Sequence, residues 1–375
     1  MNEERIQAEE GQEELPGAAP RAASEKFPCL ECGAGMRWDP DLDALACDYC
    51  GATRAVEVLE DEIVERALED AGDAARGLGI ELRVVQCKTC GARITLEPHV
   101  TTESCAYCGS TNVMVQDANR NAIRPESLVP LDVGKRQVEE QFKKWLRKLW
   151  FRPNDLKRTK RFDAVGIYVP FWTFDCAASS QWTAMSGTYY HVPVTQPTMV
   201  NGKLQMTTTM QQRVRWKPAR GERDDVYDDL HVHASKGRCA ELVRELGPFD
   251  TGGLVPYRPE YLAGWRAEEY QIDLESGWGT GRAEIHDDQR RRCAADIPGD
   301  THRDLRVRTE LDEVRWKHVL LPIWSLSYRY RGEIYAVLIH GQSGRVVGKA
   351  PYSVVKISAA ILAALVVLGV YLVLG

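Results

Sequence analysis

Eight cysteines constrain this chain more than any other feature in it. They form four Cys-x-x-Cys pairs: Cys29/Cys32, Cys47/Cys50, Cys87/Cys90 and Cys105/Cys108. Fourteen residues separate the first pair from the second, and fourteen separate the third from the fourth. A glycine follows each pair at once, at Gly33, Gly51, Gly91 and Gly109. One device is therefore written twice. Zinc in a structural site takes four thiolates in a tetrahedron, each at about 2.3 Å. Two residues between cysteines let one tight turn aim both sulfurs at one ion, and the glycine relieves crowding where the backbone turns back with positive φ. Fourteen residues are enough for a short hairpin that returns the chain to the same metal. Neither unit is long enough to bury a core of its own, so the metal must replace one.

The expectation is two four-cysteine zinc ribbons and two structural Zn2+ ions, with Cys29, Cys32, Cys47, Cys50, Cys87, Cys90, Cys105 and Cys108 as ligands. Every ligand position is cysteine, which leaves no open place for a catalytic water. Two other uses of these cysteines are weaker. A disulfide framework suits an oxidising compartment, and no signal peptide opens the sequence. Redox chemistry needs one Cys-x-x-Cys pair rather than four at matched spacing. The remaining cysteines, Cys176, Cys239 and Cys293, are scattered and read as small buried apolar residues.

A chain of 375 residues has room for two or three domains. Its net charge of −6 is mild and argues against a wholesale nucleic-acid binder. Residues 1–26 contain seven Glu and little that can be buried, the pattern of a disordered acidic tail. Residues 27–56 hold the first ribbon and 80–117 the second, with Trp38 and Tyr49 expected to pack over the first ribbon's knuckles. Tyr107 occupies the place in the second ribbon that Tyr49 has in the first. Between them, residues 57–79 are acidic, and Leu59, Ile63, Ala67 and Leu68 recur at helical spacing, predicting a solvated helical linker. That acidity would repel phosphates close to the ribbons.

Residues 121–352 form the body of the protein, predicted to be a β-rich α+β domain. Near its start, residues 134–151 carry Lys and Arg around an apolar stripe of Val138, Phe142, Trp145, Leu146 and Leu149, ended by Pro153. This is a basic amphipathic helix. Its stripe can dock on the following domain or lie on anionic lipid. Strands are predicted for residues 181–194 and 204–216, joined by the turn signal Asn201-Gly202. Strand pattern returns over residues 316–339, and residues 238–246 and 275–295 look helical. His231 and His233 alternate on one strand and share a face, without an evident third metal ligand. Asp224, Asp225, Asp228 and Asp229 surround Tyr227 and read as a solvated acidic loop. Val214-Arg215-Trp216-Lys217 echoes Val314-Arg315-Trp316-Lys317, a faint sign of two related β units.

Residues 357–374 are 18 consecutive positions without a charge. As a helix they span roughly 27 Å, close to the hydrocarbon thickness of a bilayer. Lys349 and Lys356 precede this stretch, so the large N-terminal part is expected on the cytoplasmic side of the membrane. Catalytic sets are not evident. Gly344-x-x-x-Gly348-Lys349-Ala350 is one residue too short between its glycines for a phosphate loop, and Ala350 cannot supply the hydroxyl that holds magnesium.

The chain resembles bacterial membrane-anchored proteins with TFIIB-type zinc ribbons, the YdjG-like group, often labelled primosomal replication helicases. The likeness rests on the Cys-x-x-Cys-Gly knuckles, Tyr168-Val169-Pro170-Phe171-Trp172, Tyr227-Asp228-Asp229-Leu230, and Pro256-Tyr257 with Tyr261-Leu262-Ala263-Gly264. It continues through Lys317-His318-Val319-Leu320-Leu321-Pro322-Ile323-Trp324, Gly341-Gln342-Ser343-Gly344-Arg345-Val346-Val347-Gly348 and Pro351-Tyr352-Ser353. The resemblance implies a membrane-bound adaptor rather than a motor, with PspA-type membrane-stress proteins and SPFH-like proteins as partners. The helicase label finds no phosphate loop to support it.

The reading at this point is an α+β protein with two zinc ribbons, a β-rich domain with a few helices and one C-terminal transmembrane helix. It is a tail-anchored adaptor that recruits protein partners to the cytoplasmic membrane in a membrane-stress response, touches membrane lipid and has no catalytic residues. The alternatives are a nucleic-acid-binding ribbon protein at the membrane, or a membrane-associated enzyme using the aspartates and His231 or His233.

Overall fold

Long alternating runs without a helix-forming period dominate the body, and they become very long strands. A computed structural model describes residues 27–56, 63–78, 83–96, 104–119, 121–154, 156, 163–200, 203–331 and 333–374. The acidic tail expected over residues 1–26 lies outside them. Strands β1 (Arg37–Asp39), β2 (Ala44–Ala46) and β3 (Thr53–Arg54) form a small antiparallel sheet in the first four-cysteine module. After it come β4 (Arg66–Ala67) and a 3-10 helix, Leu68–Asp73. The second module holds β5 (Arg83–Cys87), β6 (Arg93–Leu96) and β7 (Val113–Asp117), in the order β6-β5-β7.

The body then adds β8 (Ser127–Leu128), α1 (Lys135–Lys148), β9 (Asp163–Val200), β10 (Lys203–His233), α2 (Arg238–Glu245), β11 (Val255–Pro256) and β12 (Arg266–Ala267). It closes with α3 (Leu274–Asp296), β13 (Thr301–Tyr330), β14 (Glu333–His340), β15 (Val346–Gly348) and α4 (Val354–Leu374). The protein is thus mixed α+β and strand-rich, with two four-cysteine clusters towards its N-terminus and one apolar helix at its C-terminus.

One antiparallel sheet, in the order β10-β9-β13-β14-β15, organises everything else. Strand β9 alone has 38 residues, a contour of about 125 Å at the strand rise. Its first residue pairs with Ser327 of β13, and Gly187 pairs with Thr301, the first residue of β13. Beyond Gly187 only β9 and β10 continue, paired as far as Val200 and Lys203. The sheet therefore has a broad base and a two-stranded arm. Strands β14 and β15 lie at the base, and α4 starts there. Both copies of the sequence echo lie on this one sheet, Val214–Lys217 on β10 and Val314–Lys317 on β13.

Residue alternation assigns the two faces of the arm. Cys176, Ala178, Ser180, Trp182 and Ala184 share one face, where α3 covers them with Ile285, Gln289 and Cys293. Helix and sheet approach closely at Gly277, where a β-carbon would lie 2.6 Å from the Trp172 ring. At the base the opposite face is covered by the second four-cysteine module and α2, around Ile167, Val169, Phe171, Val319, Leu321 and Ile323. The first module packs on the other face, with Trp38, Leu45 and Cys47 against Tyr168, Tyr261, Leu262 and Leu320. Buried tryptophans tie the pieces together. Trp316 donates to the carbonyl of Ala67, Trp265 to that of Trp38 and Trp324 to that of Val133.

Three expectations change here. The described part of the acidic stretch is a short strand and a 3-10 helix rather than one α-helix, and Leu68, Ala71 and Ala74 pack on the sheet beside Trp172 and Trp316. Its few apolar residues are spent on the body, so the modules are not held out on a solvated linker. Trp38 is buried, but Tyr49 is 84% exposed and covers nothing. Asp224, Asp225, Asp228 and Asp229 lie within strand β10, not in a loop.

Candidate metal centres

The two modules repeat one backbone pattern four times. In each knuckle the glycine N–H donates to the carbonyl of the pair's first cysteine: Gly33 to Cys29, Gly51 to Cys47, Gly91 to Cys87 and Gly109 to Cys105. That cysteine's own N–H donates to the residue after the glycine, Ala34, Ala52, Ala92 or Ser110. Such a turn requires the left-handed region, and all four glycines have φ between 66° and 84°. The result is a rigid loop with both sulfurs inside the turn.

The sulfurs of Cys29, Cys32, Cys47 and Cys50 converge, as do those of Cys87, Cys90, Cys105 and Cys108. Cys29 and Cys50 Sγ are 3.5 Å apart, and Cys32 and Cys47 Sγ are 3.6 Å apart. In the second group Cys87–Cys108 is 3.6 Å and Cys90–Cys105 is 3.7 Å. A tetrahedron of sulfurs about 2.3 Å from its centre has edges of about 3.8 Å. A disulfide requires about 2.05 Å. The donor sets therefore fit a tetrahedral, thiophilic ion and do not fit cystines. Backbone N–H groups of Cys50 and Tyr49 point at the Cys47 sulfur and pull its pKa down to about 7, favouring the thiolate a metal binds.

The modules differ in setting. Cys32 and Cys50 are exposed, whereas Cys87, Cys90 and Cys105 are buried against the body. The equivalent tyrosines differ in the same way. Tyr107 is fully buried and donates to Glu268 at 2.7 Å. Burial holds the Glu268 carboxyl up at about 7. Cys176 and Cys293 are buried apolar residues as expected; the side chain of Cys239 lies outside the described structure.

A second polar cluster was not legible as one site. On the face opposite α3, the buried ammonium of Lys317 lies 2.7 Å from Glu65 and 2.7 Å from Asp229, with Asp175 at 3.9 Å. Asp175, Asp228 and Asp229 have carboxylate oxygens within 4.8 Å of one another, the spacing of a metal group. The lysine already supplies a cation among them, so the arrangement is an internal ion-pair network. Burial pushes Asp175 up to about 6. Asp229 sits at a bulge in β10 with φ of 52°. The signal in the sequence is a lone acid inside an aromatic strand, Phe174-Asp175-Cys176, facing a lone lysine in Trp316-Lys317-His318.

Of the other aspartates, Asp224 accepts from the Ser179 hydroxyl and Asp225 is held in ion pairs. Asp225 takes Arg223 and Arg292 at 2.6 and 2.9 Å, and Gln289 donates to it. His231 and His233 do share a face, near Phe171. Burial drives the His233 imidazole down to about 3, so it is neutral, and neither histidine belongs to a metal group among the described residues.

One relative aligns along most of the chain. The sequence is 28% identical over 337 residues to the uncharacterized protein YdjG of Bacillus subtilis (strain 168), an alignment covering 89% of this chain and 92% of YdjG. This chain is similar to YdjG. No family model matches it, and no solved structure matches it.

Proposed function

We propose that this protein is a membrane-anchored adaptor in which two zinc ribbons brace the base of a long β arm that carries the partner-binding surface. Each four-cysteine module holds one structural Zn2+, and α4 crosses the cytoplasmic membrane with the body in the cytoplasm. The geometry of the sulfurs supports the first point. For the second, the 19 residues Val354–Leu372 form an apolar helix of which no part is buried against the rest of the chain. Lys349 and Lys356 on the near side favour a cytoplasmic body.

The observation that carries the adaptor reading is the arm. Past Gly187, Tyr189, Pro193, Pro197 and Met199 share a face with Leu204, Met206 and Met210 across the ribbon. Met199, Leu204, Met206 and Met210 are each 63–70% exposed. The polar pairs His191/Gln212 and Thr195/Thr208 alternate with them on that face; exposed methionines in such a row mark an interaction surface, because methionine adapts to irregular partner contours. Both prolines lack the N–H that an added strand would need, which blunts edge pairing. Partners therefore dock on the face. PspA-type and SPFH-like membrane-stress proteins are the partners implied by the YdjG resemblance. The aspartates already committed to Arg223, Arg292 and Lys317 support a non-enzymatic role.

The test is affinity purification of the full chain from detergent-solubilised membranes, with zinc retained. Wild type is compared with a Met206→Asp/Met210→Asp variant. The reading predicts loss of the co-purifying proteins with membrane anchoring unchanged. An unchanged set of partners contradicts it.

A nucleic-acid reading has one observation in its favour. Arg220 and Arg306 flank Thr183 in register, and Arg308 lies one pair further along the same face. The adjoining Glu222, Asp224 and Glu310 interrupt this band. A salt-dependent gel shift with the full chain distinguishes the two readings.

A further inference from the structure

The basic helix α1 does not offer its apolar stripe to anything outside the protein. Val138, Phe142 and Leu146 are buried against Trp324, Tyr328 and Val337. What it leaves outside is a cationic surface and, immediately after its last turn, two aromatic rings. Lys144, Arg147 and Lys148 are exposed, and none of them is in an ion pair among the described residues. Trp150 is 80% exposed and Phe151 is 40% exposed.

The turn that carries these rings is fixed in two directions. Inward, the buried Arg152 guanidinium donates to the carbonyls of Leu146 and Pro153, capping the end of α1. Outward, the turn is bonded to the start of α4. The Ser353 N–H donates to the Phe151 carbonyl at 2.7 Å, and Lys356 Nζ donates to the Trp150 carbonyl at 3.2 Å. The two aromatic residues are thereby held beside the first turn of the apolar helix, with the cations of the last turns of α1 just before them in the chain.

We infer that this turn is a lipid-headgroup collar: Trp150 and Phe151 sit in the membrane interface, and Lys144, Arg147, Lys148 and Lys356 bind anionic phospholipid headgroups around the mouth of α4. The inference rests on α4 being a membrane span. Tryptophan is favoured where an apolar ring meets a wet polar layer. Cations at that level gain from the negative surface of the cytoplasmic leaflet. The hydrogen bonds from Ser353 and Lys356 fix the aromatic turn beside the start of α4. The collar's consequence is mechanical, because clamping the base against the bilayer restricts the directions in which the arm can point.

The test uses the full chain in nanodiscs of phosphatidylcholine, with or without phosphatidylglycerol. Brominated lipids quench tryptophans at the interface, and the Trp150→Ala variant isolates the Trp150 contribution. Hydrogen exchange over residues 144–152 reads the headgroup contact. The collar predicts a quenched Trp150 component. It also predicts exchange slowed by phosphatidylglycerol by about fivefold or more, the factor one Lys or Arg contributes near an anionic surface. A Lys144→Gln/Arg147→Gln/Lys148→Gln variant should lose that slowing and still enter the nanodisc. Entry of wild type with an unquenched Trp150 component and no lipid dependence overturns the collar and leaves the span intact; an acidic protein as the true occupant would give this result. Failure of wild type to enter the nanodisc overturns both.

Discussion

A lysine ammonium buried between strands brings its counter-charges with it, and Lys317 has three carboxylates in reach. Lys317→Met removes the cation and leaves Glu65, Asp175 and Asp229 facing one another. The expected loss is about 3–5 kcal/mol, the usual result of breaking one side of a buried pair. Denaturant unfolding of the detergent-solubilised chain measures it, and adding Asp229→Asn should recover part. His233 makes the opposite kind of prediction. Its folded pKa of about 3 lies below the ordinary value of 6.5. The neutral ring's stability is complete above pH 6.5 and is lost as pH falls towards 3. His233→Phe should therefore unfold less readily in acid, retaining about 1.4 kcal/mol more per pH unit through that window. Identical acid sensitivity in the two proteins would refute this. At this scale the cysteines and their glycines were legible, because their chemistry allows few geometries. Asp175 and Lys317 were not, because 142 positions separate them in the chain and only the pairing of β9 with β13 brings them together.

Helix α3 shows what pattern alone can tell about an element. Its extent was readable from residues 275–295, but its buried face was not. Leu274, Gly277, Gly281, Ile285, Gln289 and Cys293 are the positions it buries, and half of them are glycines or glutamine, which carry no apolar signal. The glycines are there for closeness. Gly277→Ala should cost about 1–3 kcal/mol through overpacking against Trp172, even though alanine favours a helix by about 1 kcal/mol. Gly279→Ala on the same helix meets nothing within 4 Å and should be neutral or stabilising. Equal melting of the two variants would contradict the packing account. The long strands were only half legible. The residues expected as separate strands, 181–194 and 204–216, are the later part of β9 and the first part of β10, and nothing local says that a strand should run for 38 residues. Up to Gly187 that length is held by β10 and β13 on the two edges of β9, and beyond Gly187 by β10 alone.

The whole molecule is a base and a lever. The base gathers both four-cysteine modules, α1, α2 and the start of α4; the arm leads away from it to a face with exposed methionines. The acidic stretch between the modules, expected as a spacer, packs into the base through Leu68, Ala71 and Ala74. Its composition pointed to solvent, and only the sheet beside it explains where those few apolar residues go. The modules therefore act on the body's stability as well as their own. Removing metal should loosen the cluster around Tyr107, Phe171 and Val319, seen as faster hydrogen exchange along the base strands and unchanged exchange at the arm tip. The measurement that tests the account most directly is the metal content of the full chain purified without chelator. Two zinc ions per chain are predicted, falling to one in a Cys105→Ser/Cys108→Ser variant; a chain with native structure and no bound zinc would contradict the account.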